Sequence, residues 1–142
     1  MKISARNQFQ GKVVSVTPGA VNAEVVMSLP GGEEVVAMVT RESVKSLDLK
    51  AGDEAIALFK ASSVLVMTDD AGVRLSARNS LEGTVTMLEK GPVNVEVTIT
   101  LPSGDAVHAT ITQGACDALG LAEGVAATAI IKAPLVVLGV PV

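Results

Sequence analysis

From Val95 onward the chain alternates: Val95, Val97, Ile99 and Leu101 are apolar, and Glu96, Thr98 and Thr100 between them are polar. A period of two puts one set on a buried face and the other toward solvent, so the segment reads as a half-buried strand. Pro102-Ser103-Gly104-Asp105 supplies turn residues, and residues 107–111 return as a second strand. The same pattern occurs earlier, with Ala23, Val25, Met27 and Leu29, the turn Pro30-Gly31-Gly32, and a strand over residues 35–39. Residues 11–17 and 83–89 are the expected first strands, ended by Pro18-Gly19 and by Lys90-Gly91-Pro92. A short helix is predicted over residues 41–47, with Thr40 as N-cap and Glu42 in the first turn, where a negative charge faces unpaired N–H groups. Its later counterpart keeps Thr112 but carries Gly114, which weakens it. Two closing strands are expected over 54–59 and 64–67, and again over 125–131 and 135–140. Ala55, Ala57 and Phe59 point one way, Ile56 and Leu58 the other, as in a strand covered on both sides.

The recurrence is a true internal repeat. Ile3-Ser4-Ala5-Arg6-Asn7 returns as Leu75-Ser76-Ala77-Arg78-Asn79, an offset of 75 − 3 = 72. The same offset carries Gly11 to Gly83, Val21-Asn22-Ala23-Glu24-Val25 to Val93-Asn94-Val95-Glu96-Val97, Leu49 to Leu121, Gly52 to Gly124, and Lys60-Ala61 to Lys132-Ala133, with no gap. Two domains follow, over residues 1–70 and 71–142, joined by a polar linker at Asp69-Asp70. The fold class is mainly β: two tandem small oligonucleotide-binding-type (OB-like) five-stranded barrels, each with one short helix.

Each half is of a size at which a single core barely supports itself. One cysteine, Cys116, precludes an internal disulfide, and one histidine, His108, leaves an ordinary zinc site unsupported. Association is the remaining remedy. Hydrophobic residues make up 49% of the chain and aromatic ones 1%, an excess of small apolar side chains that implies area covered by the sister domain and by other subunits. A homo-oligomer is expected, most simply a closed one. The net charge of −4, with no basic cluster and with Phe9 and Phe59 as the aromatic residues, argues against nucleic acid as a partner. Arg6, Asn7 and Gln8 interrupt any signal-like apolar core, and no segment is apolar enough to span a membrane; the chain reads as cytoplasmic, with no membrane partner.

Catalysis finds little support. His108 corresponds to Val36 and Cys116 to Val44, so neither recurs with a partner; a solvated or interface histidine and a small buried hydrophobe are the plainer readings. The repeated Ser-Ala-Arg-Asn segments are different. Ser4, Arg6 and Asn7, with Ser76, Arg78 and Asn79, offer hydroxyl, guanidinium and amide donors that suit an oxygen anion, although an arginine and an asparagine also suit fastening the opening of a barrel. Lys60 and Lys132 supply either an anion's full positive charge or a solvated strand end. The turn at Ala20, Val21 and Asn22, repeated at Val93 and Asn94, offers N–H donors or simply Asx turn geometry. Glu24 and Glu96 repel an anion and are expected to pair with an arginine or lysine. A tetrahedral dianion held by many neutral donors is compatible with an acidic protein.

These residues resemble the molbindins, small cytoplasmic molybdate-binding proteins built of molybdopterin-binding-protein-like (Mop) domains, in their tandem form. The resemblance rests on Ile3-Ser4-Ala5-Arg6-Asn7 with Gly11, Gly19 to Val25, Thr40, Leu49 to Gly52 and Lys60-Ala61, and on the second set 72 residues on. It implies a non-catalytic store that takes molybdate or tungstate as ligand, with no cofactor and with molybdenum held as the oxyanion rather than through direct cation ligands. It also implies a homotrimer of double domains with anions between domains and subunits. Ser4, Arg6, Asn7 and Lys60, with Ser76, Arg78, Asn79 and Lys132, match the segments lining one class of site; Ala20, Val21 and Asn22, with Val93 and Asn94, match the turn lining another. Pro92 in place of Ala20 removes one N–H, and Pro134 in place of Ser62 alters the surroundings of Lys132. The alternative is an oxyanion-sensing regulatory or accessory module acting through a protein partner.

Overall fold

The computed structural model describes residues 1–69 and 71–142. The first half runs through β1 (Asn7–Pro18), β2 (Asn22–Ser28), β3 (Glu34–Thr40), α1 (Arg41–Ser46), β4 (Glu54–Phe59), a 3-10 turn (Ala61–Ser63) and β5 (Leu65–Met67). The second half repeats it as β6 (Asn79–Lys90), β7 (Asn94–Thr100), β8 (Ala106–Thr112), α2 (Gln113–Ala118), β9 (Ala126–Ile131), a 3-10 turn (Ala133–Leu135) and β10 (Val137–Gly139). Of the expected linker pair, Asp69 is exposed and Asp70 lies outside the described residues.

The first strand of each half starts earlier than its apolar pattern suggests. Asn7 and Phe9 point inward while Gln8 and Gln10 point out, so a polar-looking run alternates correctly once Asn7 is counted as an inward residue. β1 then serves two neighbours in turn. Residues 7–12 pair with β4, and residues 12–18 pair with β2 across a register shift between Val13 and Ser15. Gly11 stands at the changeover, where a Cβ would overlap the carbonyl oxygen of Ser28; Gly83 meets Thr100 in the same way. That close approach explains why both copies keep a glycine there.

The mainly β composition stands, but the expected closed barrels do not form. The strands lie in two open five-stranded sheets, ordered β10-β4-β1-β2-β3 and β5-β9-β6-β7-β8. Each copy gives its last strand to the other: Val137, Leu138 and Gly139 pair with Leu58, Ala57 and Ile56, while Leu65, Val66 and Met67 pair with Ile130, Ala129 and Thr128. The free edges are therefore β3 and β10 in one sheet, β5 and β8 in the other. At the middle of β3 and β8 the backbone groups left without a strand neighbour meet a side-chain amide from the opposite copy rather than a closing strand. An edge occupied in this way has no need of barrel closure.

The exchange joins the two halves into one apolar core. Phe9, Val25, Met27 and Phe59 belong to the same buried cluster as Val85, Val97, Ile99 and Ile131. Phe9 and Phe59 stack with centroids 5.6 Å apart. The helices are equal in length despite Gly114, because the hydroxyls of Thr40 and Thr112 accept from Ser43 N and Ala115 N alike. The cap offsets what the glycine costs. Cys116 is 1% exposed and packs as the small hydrophobe its pattern implied. At the junction of the two hairpin turns, Gly31 faces its own counterpart Ser103 so closely that a Cβ on Gly31 would overlap that of Ser103, so two side chains cannot occupy this contact together.

Candidate functional site

The ladder between β1 and β4 ends with Asn7 opposite Phe59, and the ladder between β6 and β9 ends with Asn79 opposite Ile131. The next residues outward are Arg6 beside Lys60 in one copy and Arg78 beside Lys132 in the other. Antiparallel pairing thus gathers the two constant segments, Ser-Ala-Arg-Asn and Lys-Ala, at one end of each sheet. Lys60 and Lys132 are exposed, each at the start of a 3-10 turn whose third residue returns a backbone N–H to the lysine carbonyl at 3.0 Å. Ala61 and Ala133, just after them, are buried and fix the direction of the turn.

The two constant asparagines reach into the opposite copy. Asn79 is 2% exposed; its Nδ2 donates to the carbonyl of Val36 at 2.7 Å, and its Oδ1 accepts from the N–H of Val36 at 2.7 Å. Asn7, 1% exposed, does the same with His108, at 2.8 Å in both directions. Val36 and His108 are equivalent positions. Each amide imitates a neighbouring peptide group and clasps the middle of an edge strand.

The two arginines cross the same boundary. Arg6 forms a two-point ion pair with Glu96, its Nη1 2.9 Å from Oε2. Arg78 does so with Glu24, with Nη2 3.0 Å from Oε1 and Nη1 on Oε2. The expectation that Glu24 and Glu96 pair with a basic residue holds, and the partner belongs to the other copy. The surroundings of the pairs differ. On the face that carries Glu96, Thr98 Oγ1 lies 3.2 Å and Glu96 Oε1 3.8 Å from His108 Nδ1, whereas Val26 and Val36 occupy the matching places beside Glu24.

Charge at each strand end is therefore divided. The guanidinium is matched by a carboxylate, while Lys60 and Lys132 have no acidic partner among the described residues. Ser4 and Ser76 are exposed, and their hydroxyls make no hydrogen bond among the described residues. Free serine donors and an unneutralised ammonium are the groups from which an anion's contacts are built.

The turn residues form a separate location. Gly19 N–H closes on Asn22 O at 2.7 Å, and Gly91 N–H on Asn94 O at 2.8 Å. The carbonyl of Val21 accepts from Arg41 N and that of Val93 from Gln113 N, both at 2.9 Å. Ala20, Val21, Asn22, Val93 and Asn94 are all exposed. Asn22 lines a groove of about 310 Å³ whose far wall is Pro134, Val136, Val137 and Leu138 of the second copy. Thr40 caps α1, as its place before the helix implies. The groove also holds Thr40 and Ser43, whose hydroxyls lie 2.8 Å apart, next to Asn22. The repetition of Thr40 as Thr112 was the available signal; Ser43 becomes Ala115 and leaves none. Among the described residues no cluster of three or more His, Cys, Asp or Glu side chains could hold a metal ion, and no helix is long and apolar enough to cross a membrane.

The chain is similar to known proteins in sequence and in fold. The family model of the TOBE domain matches twice, over residues 3–66 and 75–138. The chain is 46% identical over 140 residues to the molybdenum transport protein ModE of Herbaspirillum seropedicae, covering 99% of this chain and 52% of that protein. It is 43% identical over 141 residues to the molybdenum-pterin-binding protein MopA of Rhodobacter capsulatus, covering 99% and 53%. The chain thus spans about half the length of these relatives. A crystal structure of the cytoplasmic molybdate-binding protein ModG with molybdate bound superposes with a TM-score of 0.97, at 53% identity, covering 99% of this chain and 100% of that one.

Proposed function

This chain belongs to the TOBE-domain family, in a tandem form homologous to molybdate-binding proteins, and from that premise we propose that it binds molybdate reversibly as an intracellular store. The observation that supports this most is the end-to-end similarity to ModG, a protein described as cytoplasmic and crystallised with molybdate. The role is binding rather than catalysis, and the compartment is the cytoplasm. The two copies are 1–70 and 71–142, and the ligand is a tetrahedral dianion. Tungstate, of the same charge and shape, is accepted by the same donors.

In this reading Ser4, Arg6, Asn7 and Lys60, with Ser76, Arg78, Asn79 and Lys132, line one class of site. Lysine supplies the unneutralised charge, serine the hydroxyl donor and asparagine the frame. Ala20, Val21 and Asn22, with Val93 and Asn94, line the second class, in which Pro92 leaves the later copy short of one N–H. Exposed apolar residues such as Val21, Leu65, Val93 and Val137 are covered in a homo-oligomer, most simply a trimer of double chains, with neither nucleic acid nor membrane as partner. A second reading, an oxyanion-sensing module acting through a protein partner, draws support from the match to half the length of a molybdenum transport protein.

Lysine replacement tests the site assignment. Losing a hydrogen bond to a charged group costs about 1.5–3 kcal/mol, or roughly ten- to a hundredfold in affinity. Lys60→Ala with Lys132→Ala is expected to weaken molybdate binding by about that factor in titration calorimetry, with the oligomer unchanged by light scattering. Unaltered affinity would remove both lysines from the site.

A further inference from the structure

Two acidic side chains stand beside residues proposed to hold an anion, and they recur in both copies: Glu24 on Arg78 and Glu96 on Arg6. Stability does not explain them well. The arginine side chains are 56% and 54% exposed and the glutamates 22% and 32%, so solvent screens each pair, and exposed pairs typically contribute about 1 kcal/mol or less. Their geometric effect is more specific. A two-point contact fixes the plane of the guanidinium, and the contact comes from the opposite copy. Each strand end is thereby completed by a carboxylate of the opposite copy.

The electrostatic effect is equally definite. Without the carboxylate, the arginine and the adjacent lysine would present two positive charges; with it, the sum falls to that of the lysine alone. A strongly positive pocket attracts every dianion, sulfate and molybdate alike, because Coulomb attraction depends on charge and separation rather than on the identity of the anion. A pocket with little net charge must discriminate by donor geometry and width. We propose that Glu24 and Glu96 are specificity-determining residues: by neutralising Arg78 and Arg6 across the boundary between the copies, they hold down the affinity for oxyanions in general and leave the choice among them to geometry. This inference rests on the oxyanion-binding function proposed above.

The experiment uses the full chain with both changes, Glu24→Gln and Glu96→Gln, titrated separately with sodium molybdate and sodium sulfate at fixed ionic strength. Glutamine retains an acceptor for the guanidinium while removing the charge. Sulfate affinity is expected to rise by about tenfold, the equivalent of about 1.4 kcal/mol. The ratio of molybdate to sulfate affinity is expected to fall several-fold, and binding to become more salt-sensitive. Glu24→Asp with Glu96→Asp keeps the charge and should keep the wild-type ratio, which a purely structural role would not predict. A double glutamine variant that stays folded by its thermal melt and binds both anions in the wild-type ratio overturns the inference. So does one whose ratio falls equally in the aspartate variant. Wild-type protein that takes up no molybdate overturns the binding function instead, a separate and recognisable failure.

Discussion

Asn79→Ala is expected to destabilise the fold by about 2–5 kcal/mol, because it leaves both the N–H and the C=O of Val36 without partners at a site from which water is largely excluded. The backbone of β3 has no neighbouring strand there to take over, since β3 is the edge of its sheet. Asn7→Ala removes the matching pair of bonds to His108, but that location is only part-buried and water can replace some of what is lost. The loss should therefore be smaller. Urea unfolding of the two variants reads the difference directly. Equal losses below about 1 kcal/mol would mean that the amides are incidental to the joining of the copies, and would leave Asn7 and Asn79 free for a purely ligand-facing role.

The second large effect lies at the changeover of the long strands. Gly83→Ala would press its methyl into the Thr100 carbonyl oxygen, with Ile99 Cγ2 at 2.9 Å and Thr100 C at 3.0 Å closing the other directions. Backbone cannot withdraw as the end of a side chain can, so a cost at the upper end of the usual overpacking range, about 3 kcal/mol, is expected. Gly11→Ala meets the Ser28 carbonyl in the same way, with Ser28 C at 3.2 Å, but the one side chain it meets is Met27, whose Cε at 3.3 Å can turn aside. It should be the milder of the two. Gly114→Ala makes a control: no atom lies within 4 Å of the new methyl, the residue is in α2, and stability should rise by up to about 1 kcal/mol. A Gly83→Ala melt indistinguishable from that of wild type would contradict the close approach of β6 to β7.

Much of this architecture was legible because periodicity and turn residues are local. The alternation at Val95, Val97, Ile99 and Leu101 gave β7, all four being buried. Thr40 and Thr112 gave the helix starts, and the persistence of Glu24 and Glu96 gave their pairing with a base. The exchange of β5 and β10 was not legible, and the repeat itself is the reason. Residues 64–67 and 135–140 have similar patterns and stand in similar relation to Glu54–Phe59 and Ala126–Ile131, so pairing within a copy and pairing across copies satisfy the same sequence. Closed barrels followed from assuming the first of these.

The candidate site was legible in its residues but less so in their roles. Ser-Ala-Arg-Asn and Lys-Ala could be singled out from recurrence alone, and the register at Asn7 and Phe59 brings them together. For Asn7 and Asn79 the sequence is compatible both with donation to an anion and with fastening. Only tertiary contacts reveal the two-way hydrogen bonding to His108 and Val36, because its partners lie 101 and 43 residues away. Thr40 illustrates the converse. A role as helix cap is sufficient to account for the residue, and nothing in the sequence says that the same residue also lines a groove against the second copy.

Native mass spectrometry of the intact chain, with molybdate and then with sulfate at equal ionic strength, tests the central claim most directly. A closed oligomer that gains several molybdate ions and few sulfate ions is the predicted result. An oligomer of unchanged mass in molybdate would contradict the claim, leaving the exchanged sheets as a scaffold for some other partner.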